Sequence, residues 1–275
     1  MKRVWVYLLA IAILLSACSS PIAVAPETKA PTPVPNVAVE SKSLTVFAAA
    51  SLTDAFTEIS QNFEAANPGV TVTLNFAGSQ TLRTQIEQGA QVDVFASANA
   101  KEMDALVTGN FVGADTAQIF LTNQLVVIMP EANSAGIKQL EDLSKSGLKL
   151  VLAAKEVPVG NYSLQVLDEL DQAFGGGYKD KVLANVVSYE NDVKQVVAKV
   201  QLDEADAGIV YSSDSVAAPE LQKIDIPVEN NVVAKYPIAA LTQTREPELA
   251  QAFITYVLSS EGQSILKKWG FLPVQ

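Results

Sequence analysis

The 275-residue sequence contains no histidine and a single cysteine, Cys18. Without histidine there is no imidazole base, no Ser-His-Asp triad and no His-based zinc site. With one cysteine there is no internal disulfide and no thiolate cluster, and because Cys18 sits in the leader the folded body has no cysteine nucleophile. Basic residues are in deficit too, with 19 Lys and Arg against 30 Asp and Glu, a formal charge of −11. Such a surface disfavours nucleic acid and anionic membrane and repels an anionic ligand at long range, so any anion must be held by local donors. Carboxylate pairs and Ser-Lys dyads are the catalytic options that survive. Asp93, Glu190, Asp192 and Asp214 are the candidates for a surface hydrolase, but they form no spaced catalytic motif.

What is present begins with MKRVWVYLLAIAILLSAC, Met1 to Cys18: two basic residues, an apolar core, then Leu15-Ser16-Ala17-Cys18, the layout of an export signal. This end resembles a bacterial lipobox, which implies cleavage before Cys18 and a diacylglycerol on its thiol; an uncut leader acting as an anchor is the alternative. Either way the body is expected outside the cytoplasmic membrane. Losing Lys2 and Arg3 with the leader takes the charge from −11 to −13. Ser19 to Lys42 carries Pro21, Pro26, Pro31, Pro33 and Pro35 with no helical or strand period, and reads as an extended tether. The remainder belongs to a well-cored globular body, the chain being 49% hydrophobic and 18% charged.

The body is organised around LTVFAAASLTDAFTEI, Leu44 to Ile59, where an apolar strand gives way to a helical pattern at Ser51. A helix start leaves backbone N–H groups unpaired at the positive end of the macrodipole, a setting for an anion. A simpler reading makes Ser51 a helix cap, with Asp54 completing a capping box. The junction recurs. VTVTLNFAG, Val70 to Gly78, is a strand from which Ser79 opens a second helix that stops at Gly89, and VDVFASA followed by a helix over Ala100 to Val107 completes a βαβαβ alternation, hence a parallel sheet. Gln124 to Pro130 is a strand and Gln139 to Lys145 a polar helix. After LKLVLAAKE a further helix begins near Gly160, with Val159 between Pro158 and Gly160. GGGYKDK, Gly175 to Lys181, lacks the spacing of a phosphate loop and reads as a turn. Asn191 or Asp192 caps the helix containing Val193, Ala207 to Tyr211 is a strand, Pro237 to Gln243 another, and one or two amphipathic helices close the chain. Tyr211 by itself reads as an aromatic closing an apolar strand. Four helix starts at strand ends, two with serines, plus a tyrosine hydroxyl make an all-donor set suited to a tetrahedral oxyanion; linear spacing does not bring them together.

FAAASLTDAF, FAGSQTLRTQIEQGAQVDVFASA, VPVGNYSLQVL and ADAGIVYSSDSVA resemble, in order, segments of the periplasmic molybdate-binding proteins, the substrate-binding components of ABC-type molybdate transporters; the likeness covers nearly all of Leu44 to Gln275. It implies a two-lobed α/β periplasmic-binding-protein fold of type II, with mixed sheets flanked by helices and a ligand cleft between the lobes. The implied segments are a lipoprotein leader 1–18, the tether 19–42, lobe 1 from 43–123, lobe 2 from 124–240, and a return to lobe 1 over 241–275. It also implies the ligands: hydroxyls of Ser51 and Ser79, backbone N–H groups of Val159 and Val193, and the Tyr211 hydroxyl, all touching oxyanion oxygens and none touching molybdenum. Gly78 stands where some relatives carry serine, and Val159 where many have alanine; Asp54 and Glu87 are expected to be structural. The expected function is capture of molybdate, and of tungstate, by a lipid-anchored monomer with no cofactor and no catalytic residue, for delivery to a membrane permease. The same fold binding sulfate, another oxyanion or a small organic anion, and the surface hydrolase, are the competing readings.

Overall fold

The computed structural model describes residues 41–274; the leader, Cys18 and almost all of the tether lie outside the described residues. The strands are β1 Lys42–Ala49, β2 Val70–Ala77, β3 Val94–Ala96, β4 Gln118–Asn123, β5 Leu125–Met129, β6 Leu150–Ala153, β7 Val186–Glu190, β8 Ala207–Tyr211, β9 Gln222–Asp225 and β10 Ala234–Ala240. The helices are α1 Thr53–Ala66, α2 Ser79–Glu87, α3 Ala100–Thr108, α4 Pro158–Phe174, α5 Tyr178–Ala184, α6 Val193–Gln201, α7 Ser212–Ala217, α8 Pro247–Leu258 and α9 Ser260–Lys268.

Two mixed five-stranded sheets result, in the orders β2-β1-β3-β10-β4 and β7-β6-β8-β5-β9. In the first, β1 runs parallel to β2 and β3 while β10 is antiparallel to β3 and β4. In the second, β6 is parallel to β7 and β8, and β5 antiparallel to β8 and β9. Both faces of the first sheet are covered, which is why β1 reads as a continuous apolar run rather than an alternation. Val46 joins the large core with Phe56 and Phe253, and its neighbour Phe47 joins a separate cluster with Leu82, Phe95 and Met103. On α1, Phe56, Ile59 and Phe63 fall at helical spacing and are buried. Phe63 meets Phe253 of α8 edge to face at 5.3 Å.

Parallel strands share their C-terminal edge. The ends of β1, β2 and β3 therefore bring Ser51, Ser79 and Ala98 to one rim of the first lobe, and the ends of β6, β7 and β8 bring Val159, Val193 and Tyr211 to one rim of the second. In open α/β sheets such carboxyl-end crevices are where ligands sit.

Three expectations are corrected. The second crossing between lobes lies earlier than 240/241, because β10 hydrogen-bonds to β3 and β4 in the first sheet, so the chain leaves the second lobe after β9. Residues Tyr178 to Ala184, the first four of them read as part of a turn, form α5; Gly177 turns the chain with φ 76°, and Tyr178 and Val182, one helical turn apart, are both buried. The segment near Gln139 to Lys145 is a 3₁₀ turn, Leu140–Ser144, rather than an α-helix. In addition β1 starts at Lys42, the last tether residue. The strand β4 and helix α7, short and without a full period, were not legible.

Candidate functional site

The two rims border a small cavity of about 10 Å³ lined by Ala49, Ala50, Ser51, Gly78, Ser79, Ala98, Val157, Pro158, Val159, Asp192, Val193 and Tyr211. All five residues singled out from the sequence border this one space, so the strand-end junctions do converge. The lobes are in contact around it: the Gln80 side-chain amide donates to the Asn191 carbonyl at 3.1 Å, and the Lys194 ammonium to the Asp54 carboxylate at 2.7 Å.

Each donor is positioned by its element. After β1 the chain makes a 3₁₀ turn, Ala50–Leu52, and α1 starts only at Thr53, so Ser51 caps no helix. Its hydroxyl instead lies 3.0 Å from the Tyr236 hydroxyl, and Asp54 turns to Lys194. The capping reading of these two residues is thereby replaced. Ser79 is the first residue of α2, and its hydroxyl oxygen accepts the Ala98 N–H at 3.0 Å. Val159 is the second residue of α4, after Val157 and Pro158, with no side-chain cap. Its N–H is among the first-turn donors that have no acceptor within a helix. α4 lies very close to β6, because a Cβ at Gly160 would sit 2.1 Å from the Ala154 carbonyl. Val193 is the first residue of α6, capped by Asp192, whose carboxylate takes the Gln195 backbone N–H at 3.0 Å and its side-chain amide at 2.7 Å. The Asp192 carboxylate, which borders the cavity, is thus engaged by its own helix.

Tyr211, at 1% exposure, is buried at the end of β8, and its hydroxyl finds no hydrogen-bond partner among the described residues. Burial, then the neighbouring Tyr236, pushes its phenol well above the ordinary value, so it stays protonated and can donate. Behind it, Asp214 accepts the Tyr211 N–H at 3.2 Å. Burial raises the Asp214 carboxyl to about 6, against the opposing pull of Lys194. For Lys194 burial works against the charge, but Asp214 and Asp54 outweigh it and hold the ammonium above its ordinary range. The Lys194 cation is therefore already shared by two carboxylates, and the cavity presents neutral donors to its contents.

Each of the hydrolase candidates is engaged by a neighbour. Asp93 accepts the Thr45 N–H and the Thr244 hydroxyl, Glu190 pairs with Lys199, and Asp192 and Asp214 hold backbone donors. Glu87 pairs with Arg83 on the surface of α2. Sequence reasoning missed Tyr236, Gln80 and Lys194. Tyr236 lies just before the expected strand at Pro237, and Lys194 follows the Val193 donor by one residue; neither has a local pattern that sets it apart.

Two α/β lobes, each presenting strand ends and helix starts to a shared closed cleft, define a two-lobed periplasmic binding protein. The chain belongs to the bacterial extracellular solute-binding protein family, whose profile matches residues 44–272. It is 38% identical over 232 residues to the molybdate-binding protein ModA of Mycobacterium tuberculosis (strain H37Rv), covering 84% of this chain and 85% of that protein. It is 33% identical over 243 residues to ModA of Escherichia coli K12, covering 86% and 91%. The solved substrate-binding domain of a putative molybdenum ABC transporter from Clostridium difficile superposes with a TM-score of 0.65 at 32% identity, covering 86% of this chain and all of that one.

Proposed function

We propose that this protein captures molybdate in the interlobe cavity and delivers it to the membrane permease of an ABC transporter. Molybdate at neutral pH is a fully deprotonated dianion that only accepts hydrogen bonds. The hydroxyls of Ser51, Ser79 and Tyr211 and the N–H groups of Val159 and Val193 are its ligands, contacting oxygen and never the metal. Tungstate, with the same charge and shape, is held in the same way. The protein binds and releases without turnover and works as a monomer outside the cytoplasmic membrane, tethered by residues 19–42 from a lipidated Cys18.

The observation that carries this reading is the Tyr211 hydroxyl, buried and without a hydrogen-bond partner among the described residues, in a cavity it shares with two serines. An unmade buried hydrogen bond costs about 1–3 kcal/mol, and a ligand oxygen removes that cost. The relatives named for molybdate support the choice among oxyanions.

Isothermal calorimetry of the purified protein with molybdate, tungstate, sulfate and phosphate tests it. Saturable binding of molybdate and tungstate, with sulfate far weaker, is expected. Binding of sulfate alone would keep the fold and change the cargo, and silence with all four would overturn the oxyanion reading.

A further inference from the structure

Both cavity serines have a hydrogen-bond neighbour in their own lobe. For Ser79 the donor is the Ala98 N–H at 3.0 Å, which can only donate, so the serine hydrogen is left for the cavity. For Ser51 the neighbour is the Tyr236 hydroxyl at 3.0 Å, a contact that can run in either sense. The sense matters, because a serine hydroxyl has one hydrogen. If Ser51 donated to Tyr236, it would turn only lone pairs to an anion. A phenol is a stronger acid than an aliphatic alcohol and hence the better donor, and burial keeps the Tyr236 phenol protonated far above its ordinary range.

The ring that carries this hydroxyl is held from several sides. Tyr236 has 0% exposure and meets Tyr211 edge to face at 5.7 Å, Phe271 at 5.9 Å and Phe120 at 6.5 Å. The pairing of β10 with β4 shifts register between Tyr236 and Pro237, an irregularity of the kind that re-aims a side chain.

We propose that Tyr236 is a positioning residue: by donating to the Ser51 oxygen it commits the Ser51 hydrogen to the bound oxyanion and polarises that hydroxyl. Donation into a hydroxyl oxygen strengthens the hydroxyl as a donor in turn. The inference rests on the oxyanion reading above, and it gives the two serines the same design, one oriented by a backbone amide and the other by a phenol.

Tyr236→Phe keeps the ring and removes the donor, and calorimetry with molybdate reads the effect. Affinity is expected to fall about three- to tenfold. The same change made in Ser51→Ala should cost nothing further, whereas in Ser79→Ala it should still cost three- to tenfold, because only Ser51 transmits the effect. Ligand-free melting of each variant reports the fold. Should Tyr236→Phe not fold, 3-fluorotyrosine at position 236, a more acidic phenol of nearly the same shape, is expected to bind molybdate at least as tightly as the native protein. Unchanged affinity in Tyr236→Phe, an equal loss with and without Ser51, or weaker binding with the fluorinated residue would overturn the proposal. Loss in Ser51→Ala without loss in Tyr236→Phe would sink this inference alone, while a native protein deaf to every oxyanion would remove the reading beneath it.

Discussion

The Lys194 ammonium on α6 of the second lobe lies 2.7 Å from the Asp54 carboxylate on α1 of the first, and 3.6 Å from Asp214 of its own lobe. Asp214 in turn holds the Tyr211 backbone N–H. One cation thus ties the opposing lobe to the strand end that carries the unpartnered hydroxyl. The ion pair with Asp214 lies within a lobe, whereas the ion pair with Asp54 spans the two lobes.

Asp54→Asn therefore removes a contact between the lobes and leaves the cavity donors in place. The pair is about one-third exposed, with side-chain exposures of 31% and 37%. Its worth is limited to about 1 kcal/mol, or roughly a fivefold faster release of molybdate. Stopped-flow release at low and high salt checks this: the native rate should rise with salt, and the variant should be fast at both. A variant with the native rate and salt response would show that the ion pair does not control opening.

Asp214 makes a pH prediction of definite sign. Its carboxyl rises from the ordinary 3.8 to about 6 through burial. The folded state accordingly holds a proton that the unfolded chain has lost, and the residue's contribution to stability declines as pH rises from about 4 to about 6, then levels off. The total is roughly 3 kcal/mol by the equivalence of pKa and free energy. Asp214→Asn, with an oxygen still able to accept the Tyr211 N–H, should gain in melting temperature relative to the native protein across that window and hold the gain above it. A difference that does not vary with pH would contradict the assignment.

Tyr211→Phe is expected to weaken binding and leave the ligand-free fold almost unchanged. In the open, ligand-free cleft water satisfies this hydroxyl, so its deletion leaves the melting midpoint near the native value, while loss of a donor to a charged group weakens molybdate about tenfold to a hundredfold. Paired melting and calorimetry read both. If the ligand-free midpoint fell and the affinity held, the hydroxyl would belong to the core and not to the site.

Gly78→Ala tests closure from the other rim. The backbone at Gly78 has φ −57°, which alanine adopts freely, but its Cβ would stand 2.5 Å from the Asn191 carbonyl of the opposite lobe. The backbone clash arises only when the lobes meet, and the Gln80 side-chain amide of the same lobe, also 2.5 Å from that Cβ, is a flexible end that can swing aside, so the ligand-free melt should stay near the native value. Overpacking of this kind costs about 1–3 kcal/mol, which lowers affinity roughly fivefold to a hundredfold. Small-angle scattering with saturating molybdate should find the variant more open than the native protein; equal affinity and equal compaction would refute the account.

The local devices were legible along the chain. Apolar runs ending at Ser51, Gly78, Pro158 and Tyr211, each followed by a turn or helix start, mark strand ends that present donors, and the absence of histidine and scarcity of cysteine remove imidazole and thiolate chemistry. Such features depend on a few neighbouring residues, whose period and turn chemistry appear directly in the order of side chains. The α5 helix escaped because three glycines precede a single apolar turn, and β10 was assigned to the wrong lobe because a strand's pattern reports that it is buried, not which neighbour it pairs with.

The sequence by itself determined the elements and the kind of donor each one ends in. Only the tertiary structure decided that Ser51 turns from helix capping to Tyr236, 185 positions away, that Lys194 rather than the solvent meets Asp54, and that a carbonyl at Asn191 closes on Gly78. Those contacts follow from sheet order and from how two lobes close on each other, and both are settled by packing between segments far apart in the chain, which no local period records.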